Sequence, residues 1–305
     1  MTTALWLLVY GGVLTWLAPP LLTRLTRSGV TPHMGIAAWL TAIGAALLSW
    51  IGAVALLAVA VVDGIKDSSA VTLCLKLFGL SERAPLPGRL GSVVLIVTAV
   101  AISVVVIGRV SRSVLGLRAR SHEHAREARM IGHPTDRPGV IVVDAHRPAA
   151  YCVSGKPNAI VVTTGALDAL DRSQLSAVLA HENAHIAGHH HELLMVLRGL
   201  ATSLPRLPLF RSGAAAVADL LEMCADDAAA RRFGTRPLLA GLLTLAGPQR
   251  LPADGLAAAG TAVLARAVRL ADPAQPGMQW RQRIALGATM VSTVSAPAVI
   301  DLLCH

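Results

Sequence analysis

Residues 173–200 read SQLSAVLAHENAHIAGHHHELLMVLRGL, a helical pattern that decides how the rest of the chain is interpreted. Residues four apart lie on one face of a helix, so His181 and His185 present their imidazoles on the same side. Two imidazoles at this spacing can bind one zinc ion, and Glu182 is placed to accept a proton from water beside the metal. The stretch therefore predicts a zinc site with two histidine ligands and a glutamate general base.

Two alternatives exist for the third protein ligand that a catalytic zinc requires. His191 completes the spacing H-E-x-x-H-x-x-G-x-x-H, but this needs the helix to break at Gly188, and the following run is typical of continued helix. Glu222 lies on a second predicted helix, with Asp226 one turn further on to hydrogen-bond a zinc histidine. We favour Glu222 and interpret the histidines at 189–191 as a solvated helix face.

The composition is that of a membrane protein. The chain is 54% hydrophobic and only 15% charged, with a mean hydropathy of +0.59, whereas soluble domains carry about 25% charged residues. A spanning helix needs roughly 20 apolar residues, and the charge-free stretches predict four spans. Three lie at about 4–23, 35–62 and 90–108, and a fourth, more polar one lies within 277–305.

These spans divide the chain into three parts. Residues 1–108 hold the first three helices, 109–276 form a zinc metallopeptidase domain, and 277–305 hold the fourth helix and a short outer tail. Short runs rich in Val and Ile at 139–144, 150–153 and 159–164 predict a small sheet. The predicted fold is a mainly α membrane protein, with an α+β gluzincin-type domain inserted between the third and fourth spans.

Basic residues predict the orientation of the chain. Arginines accumulate after the first span and, more densely, after the third, and cytoplasmic loops near a membrane are rich in Lys and Arg. We therefore expect a bacterial plasma-membrane protein with a cytoplasmic zinc domain and both termini outside. The net charge of +9 follows from this bias, and with only 3% aromatic residues we expect no direct nucleic-acid binding.

The four cysteines of the chain are predicted to lie in two different compartments. Cys152 and Cys224 fall in the cytoplasmic domain, where thiols stay reduced. The predicted topology places Cys74 and Cys304 outside, where they would either form a disulfide or remain two free thiols.

The runs AVLAHENAH and EMCAD resemble the gluzincin membrane peptidases. The order of spans and zinc domain is similar to the beta-lactam-sensor and antirepressor family of Gram-positive bacteria, and the CAAX prenyl proteases and membrane heat-shock proteases share the motifs. The resemblance implies one zinc per chain held by His181, His185 and Glu222, with Glu182 as general base and Asp226 as support.

The sequence departs from the antibiotic receptors at two points. No segment for their extracellular penicillin-binding sensor follows the fourth span, so direct beta-lactam sensing is not expected. Family members often use a further His or Arg to stabilise the oxyanion, and the sequence does not choose among the available arginines. These are Arg231, Arg232, Arg281 and Arg283.

The predicted function is hydrolysis of peptide bonds by an integral-membrane zinc endopeptidase. By resemblance, the substrate would be a cytoplasmic winged-helix repressor cleaved in a regulatory pathway, and the lipid bilayer is the other expected partner. The enzymatic alternative is a membrane quality-control or prenyl-type protease, and the non-enzymatic one is a signalling receptor with a degenerate zinc site. The intact Glu182 argues for an enzyme.

Overall fold

The structure is a computed structural model, and it describes residues 2–64, 88–153, 155, 157–247, 257–272 and 274–304. The helices are α1 (Thr2–Thr26), α2 (Pro32–Gly64), α3 (Gly88–Ile131), α4 (Thr164–Ala169), α5 (Arg172–Ala187), α6 (His190–Ser203), α7 (Pro208–Phe233), α8 (Thr235–Ala246), α9 (Ala257–Ala271) and α10 (Pro276–Cys304). The strands are β1 (His133–Pro134), β2 (Val140–Val143), β3 (Ala150–Val153) and β4 (Ala159–Thr163). The expected mainly helical fold with a small sheet is confirmed.

Three of the described helices are long and apolar enough to cross a membrane, over Thr3–Thr26, Pro32–Val59 and Val97–Ile131. The first two match the predicted spans closely, whereas the third overlaps the span predicted at 90–108 only over 97–108 and continues to Ile131. The third apolar run and the basic segment after it form one continuous helix, α3, of 44 residues. The fourth predicted span falls on α10, which is not among these three helices. The count of four spans therefore stays a prediction.

Helix α10 nevertheless packs against the first two helices. The Gln282 amide donates to the Leu25 carbonyl at 2.6 Å, the Tyr10 hydroxyl donates to the Thr293 carbonyl, and Leu286 is fully buried. The turn between α1 and α2 depends on Gly29, whose φ is +60° and where a Cβ would lie 2.0 Å from the Met223 sulfur. A larger residue at this position would have a strained backbone, and its side chain would clash with Met223.

One hydrophobic core joins the membrane helices to the helices of the predicted zinc domain. Trp39 is fully buried at its centre and donates its indole N–H to the Thr26 hydroxyl at 3.2 Å. Around it pack residues of α6 and α7, namely Leu197, Leu200, Leu209, Phe210, Val217 and Leu220. Because this core is shared, α7 is held at a fixed position against the end of the α1–α2 pair.

The small sheet has the order β1-β2-β4-β3. Strand β4 is buried along its whole length and pairs in parallel with β2 and antiparallel with β3, so that β3 forms an edge of the sheet. The three predicted strands are found within their predicted ranges. Strand β3 packs against α5, which brings the sheet edge next to the zinc-motif helix.

Helix α5 begins with a capping box. Asp171 accepts hydrogen bonds from the Ser173 and Gln174 N–H groups, while the Gln174 side chain accepts from the Asp171 N–H. The N-cap is Asp171 and not the following Ser173. Asp171 takes the role because its carboxylate reaches the free N–H groups of the first turn.

Candidate active site

Helix α5 places His181 and His185 one turn apart on its buried face. Their side chains face each other with the two Nε2 atoms 3.2 Å apart, and the residues are only 3% and 8% exposed. Two imidazole nitrogens that point to one position from successive turns of a helix can both bind a single zinc ion.

Glu222 of α7 completes this group. Its Oε2 lies 3.5 Å from His181 Nε2, and its Oε1 lies 3.5 Å from His185 Nε2. One donor atom from each of the three residues lies within 4.8 Å of the others. Two imidazoles and one carboxylate are the ligand set of catalytic zinc sites that keep an open position for substrate. The residues present therefore fit a zinc ion.

Behind the histidines, a buried ion pair supports the group. Asp226 is fully buried, with Oδ1 3.1 Å from His181 Nδ1. Arg266 of α9 binds Asp226 through two hydrogen bonds of 2.7 and 2.6 Å, and its Nη1 lies 2.9 Å from Glu222 Oε2. A carboxylate on the far nitrogen of a metal histidine fixes its ring and raises its basicity.

The neighbouring charges shift the pKa values of the residues in this group. Burial opposes the charged form of His181, but the Asp226 and Glu222 carboxylates outweigh it and raise its pKa to about 9. Burial alone would raise the pKa of Glu222, yet the hydrogen bond to His181 and the Arg266 charge hold that pKa below its usual range. The Asp226 and Glu222 carboxylates thus favour a positive charge on His181, whereas burial and the His181 charge lower the pKa of His185 to about 4 and favour its neutral form, whose nitrogen lone pair can bind a metal.

The histidine cluster at 189–191 is only in part the solvated helix face expected from sequence, because His189 and His191 are exposed but His190 is buried. Helix α5 ends at Ala187, and His189 adopts a left-handed conformation with φ 52° before α6 begins. His190 is consequently turned inward, 7% exposed, with Nδ1 2.8 Å from His185 Nδ1. Gly188 permits this, because a Cβ there would lie 2.4 Å from the His190 ring.

His191 does not belong to the group of His181, His185 and Glu222. The helix does break at Gly188, as the assignment of His191 as third ligand required, but the break does not bring His191 to the other two histidines. The Nδ1 atom of His191 lies 3.6 Å from the Cys152 sulfur, and among the described residues the three-residue group contains Glu222 instead. His191 lines the cleft beside the group.

Glu182 points to the edge of the sheet. Its Oε2 accepts a hydrogen bond of 2.9 Å from the backbone N–H of Cys152 in β3. Burial, opposed by the His181 charge and reinforced by that of Glu222, raises the pKa of the Glu182 carboxyl to about 7. A carboxylate with a pKa in this range can both accept and return a proton near neutrality.

These side chains line a cleft of about 430 Å³ between β3, α3, α5 and α6. Its far wall is formed by Leu117, Ser121, Leu194, Met195 and Arg198. None of Arg231, Arg232, Arg281 and Arg283, the four arginines considered for the oxyanion, lines this cleft, whereas Arg198 does. Arg231 and Arg283 line a separate groove, and Arg232 stacks over Phe233.

The thiols within the described part of the chain, Cys152 and Cys224, are free. Burial and the Glu182 charge raise the pKa of Cys152 to about 12, so it stays a neutral thiol. Cys74 lies outside the described residues, as does the side chain of Cys304, so their disulfide stays a prediction.

Comparison with known proteins covers the region that holds the site. Residues 117–250 match the model of Peptidase family M48. The chain is 38% identical over 81 residues to a Protease HtpX homolog of Salinibacter ruber, covering 25% of this chain and 29% of that protein. It is 39% identical over 82 residues to the Protease HtpX homolog of Acidiphilium cryptum, covering 25% and 28%. With the Protease HtpX homolog of Levilactobacillus brevis it is 25% identical over 134 residues, covering 40% and 45%.

The chain thus spans less than half the length of these relatives. No solved structure matches it. The region matched by the family model contains His181, Glu182, His185, Glu222 and Asp226. The family match and the relatives' names do not show the resemblance to the beta-lactam-sensor family. Arg266, which contacts Glu222 and Asp226, lies beyond the matched region.

Proposed function

We propose that this chain is an integral-membrane zinc endopeptidase, with His181, His185 and Glu222 as the metal ligands and Glu182 as the general base. The observation that carries the proposal is the meeting of three donor atoms within 4.8 Å, beside a glutamate that lines the same open cleft. A structural zinc site would be closed by four protein ligands. Three ligands and an adjacent base favour an enzyme over a signalling receptor with a degenerate site.

The chain's own residues account for the proton transfers. When bound, zinc supplies a Lewis acid that polarises the scissile carbonyl and makes water acidic enough to attack at neutral pH. Glu182 accepts the proton of the attacking water and returns it to the leaving amine. The Cys152 N–H holds the Glu182 carboxylate at the sheet edge. Asp226 holds the His181 ring, and Arg266 holds Asp226.

The substrate backbone is expected to lie along β3. This strand is an edge of the sheet, and an extended peptide can add to an open edge through main-chain hydrogen bonds. Cys152 belongs to this strand and its N–H contacts Glu182, so a peptide paired there would pass directly by the general base.

The position of the cleft favours substrates at the membrane surface. Leu117 and Ser121 in its wall belong to α3, the same helix that forms the third apolar run. At 1.5 Å per residue, Leu117 lies only about 14 Å along the helix from the predicted end of that run at 108. This geometry favours substrates held at the bilayer, which both the membrane quality-control type and the prenyl type would be. Regulatory cleavage of a winged-helix repressor stays a hypothesis that no feature of the cleft specifically favours.

The test is hydrolysis by the purified full-length chain in detergent, with an unfolded reporter polypeptide as substrate. We expect cleavage to stop when a chelator removes the metal, as verified by elemental analysis, and to return on adding zinc. Cleavage that persists in demonstrably metal-free protein would refute the zinc mechanism. In reconstituted vesicles, a reporter tethered to the bilayer should be cleaved faster than the same untethered sequence.

A further inference from the structure

A second cavity, separate from the active-site cleft, is lined by positively charged side chains that the proposed peptidase reaction does not use. This groove of about 1270 Å³ lies between the α1–α2 turn, the C-terminal part of α7, α9 and the start of α10. It shares no lining residue with the cleft. We propose that the groove binds the phosphate headgroup of an anionic phospholipid.

The lining of the groove is rich in arginine. Four arginines and two aspartates line it, which gives a net excess of positive charge. Arg269 is neutralised by Asp227 through two hydrogen bonds of 2.9 and 2.8 Å. The other three, Arg27, Arg231 and Arg283, make no ion pair with any described residue. Guanidinium groups are the preferred side chains for phosphate, which they bind through two parallel N–H donors.

Two of the unpaired arginines, Arg27 and Arg283, lie at the ends of predicted spans, where lipid headgroups are expected. Arg27 follows directly on the end of α1, and α2 begins only a few residues later. Arg283 immediately precedes the fourth predicted apolar run. Basic residues at the ends of spans are common because of the positive-inside bias. Arg231 is different, since it comes from α7, which is not next to a predicted span in the sequence, yet it lines the same groove.

Apolar side chains beside the arginines favour a lipid over a free phosphate ion. Leu264 and Val268 of α9 and Met278 of α10 line the groove and are 62%, 60% and 56% exposed. Exposed apolar side chains next to a polar cluster are typical of membrane-contacting surfaces. A phosphate ion would use only the arginines, whereas a phospholipid would also cover these side chains with its acyl chains.

The experiment is native mass spectrometry of the purified full-length chain in detergent. The probes are phosphatidylglycerol, phosphatidylcholine with the same acyl chains, and inorganic phosphate. We expect phosphatidylglycerol to bind at least about tenfold more tightly than phosphatidylcholine, because both lipids offer a phosphate but only phosphatidylcholine brings a choline cation, which the excess positive charge of the groove repels. The wild-type comparison alone tests the proposal, whatever the stability of any variant.

Matched substitutions localise the binding. Arg231→Gln and Arg283→Gln should each weaken phosphatidylglycerol binding several-fold. Arg232→Gln and Arg281→Gln remove the same charge one or two positions away, do not line the groove, and should bind like wild type. Equal binding of the two lipids, equal losses in groove and control variants, or displacement of the lipid by equimolar inorganic phosphate would each overturn the proposal. None of these results depends on peptidase activity. The lipid-binding proposal and the proposed peptidase function can therefore fail separately.

Discussion

Nδ1 of His185 lies 2.8 Å from Nδ1 of His190, so that one buried imidazole is held by another. For His185 to offer Nε2 to a metal, its Nδ1 must carry the proton and donate it to His190. His190 therefore sets the tautomer of His185, and on the other side the Asp226 carboxylate lies 3.1 Å from Nδ1 of His181. The break at Gly188–His189 is what brings His190 into this position.

Loss of this contact should weaken metal binding without removing a ligand. His190→Ala is expected to lower zinc affinity by about 10–100-fold, the usual effect of removing a hydrogen-bond partner of a metal ligand. His189→Asn is the control, because His189 is exposed and asparagine tolerates its left-handed conformation. Zinc titration with a competing chromophoric chelator measures both, and equal affinities in the two variants would contradict the assigned role.

Much of this centre is predictable from spacing. The four-residue intervals of His181 to His185 and Glu222 to Asp226 correspond to one helical turn, so both pairs face one way as soon as each segment is helical. The spans follow from charge-free length, and the strands from runs of Val and Ile bounded by Gly and Pro.

The rest depends on tertiary contacts that carry no local pattern. Arg266 sits in the alanine-rich α9, where nothing in the sequence distinguishes it from the arginines we had considered. The helix break was missed because residues 189–200 have good helical periodicity, and the one signal was Gly188 itself. Arg198 reaches the cleft only because α6 starts anew after that break.

The third metal ligand is tested by a pair of substitutions. Glu222→Gln should lose most of its zinc, because a carboxylate ligand becomes a weakly binding amide. His191→Ala should keep its zinc, since His191 lies beside Cys152 and outside the three-residue group. Elemental analysis of both purified variants decides between them. Zinc retained by the first and lost by the second would reassign the ligand to His191.

The cysteine in the cleft offers a rival chemistry that can be excluded by experiment. Cys152 and His191 lie side by side as in a thiol peptidase. Because the Cys152 pKa is raised to about 12, its thiolate is populated only above that pH and is nearly absent at pH 8. Cys152→Ser should therefore retain most of the activity, and alkylating reagents at pH 8 should inhibit little. Abolished hydrolysis in the serine variant would point to a covalent mechanism.

Orientation in the membrane can be measured with reporter fusions. From the distribution of basic residues, a reporter inserted near Gly155 should report the cytoplasm, and one near Ser69 the outside. A cytoplasmic signal at both positions would remove the third span from the scheme, because it is the only predicted span between them. The inverted pattern would place the cleft outside the cell and exclude any cytoplasmic substrate.

The central claim is that Glu182 acts as a base beside a metal held by other residues. The most direct measurement is zinc content and peptide hydrolysis on one sample of Glu182→Ala. The account predicts one zinc per chain, as in wild type, and activity lower by at least about 10²–10⁴-fold, the usual contribution of a general acid–base group. Full zinc together with undiminished hydrolysis would contradict it.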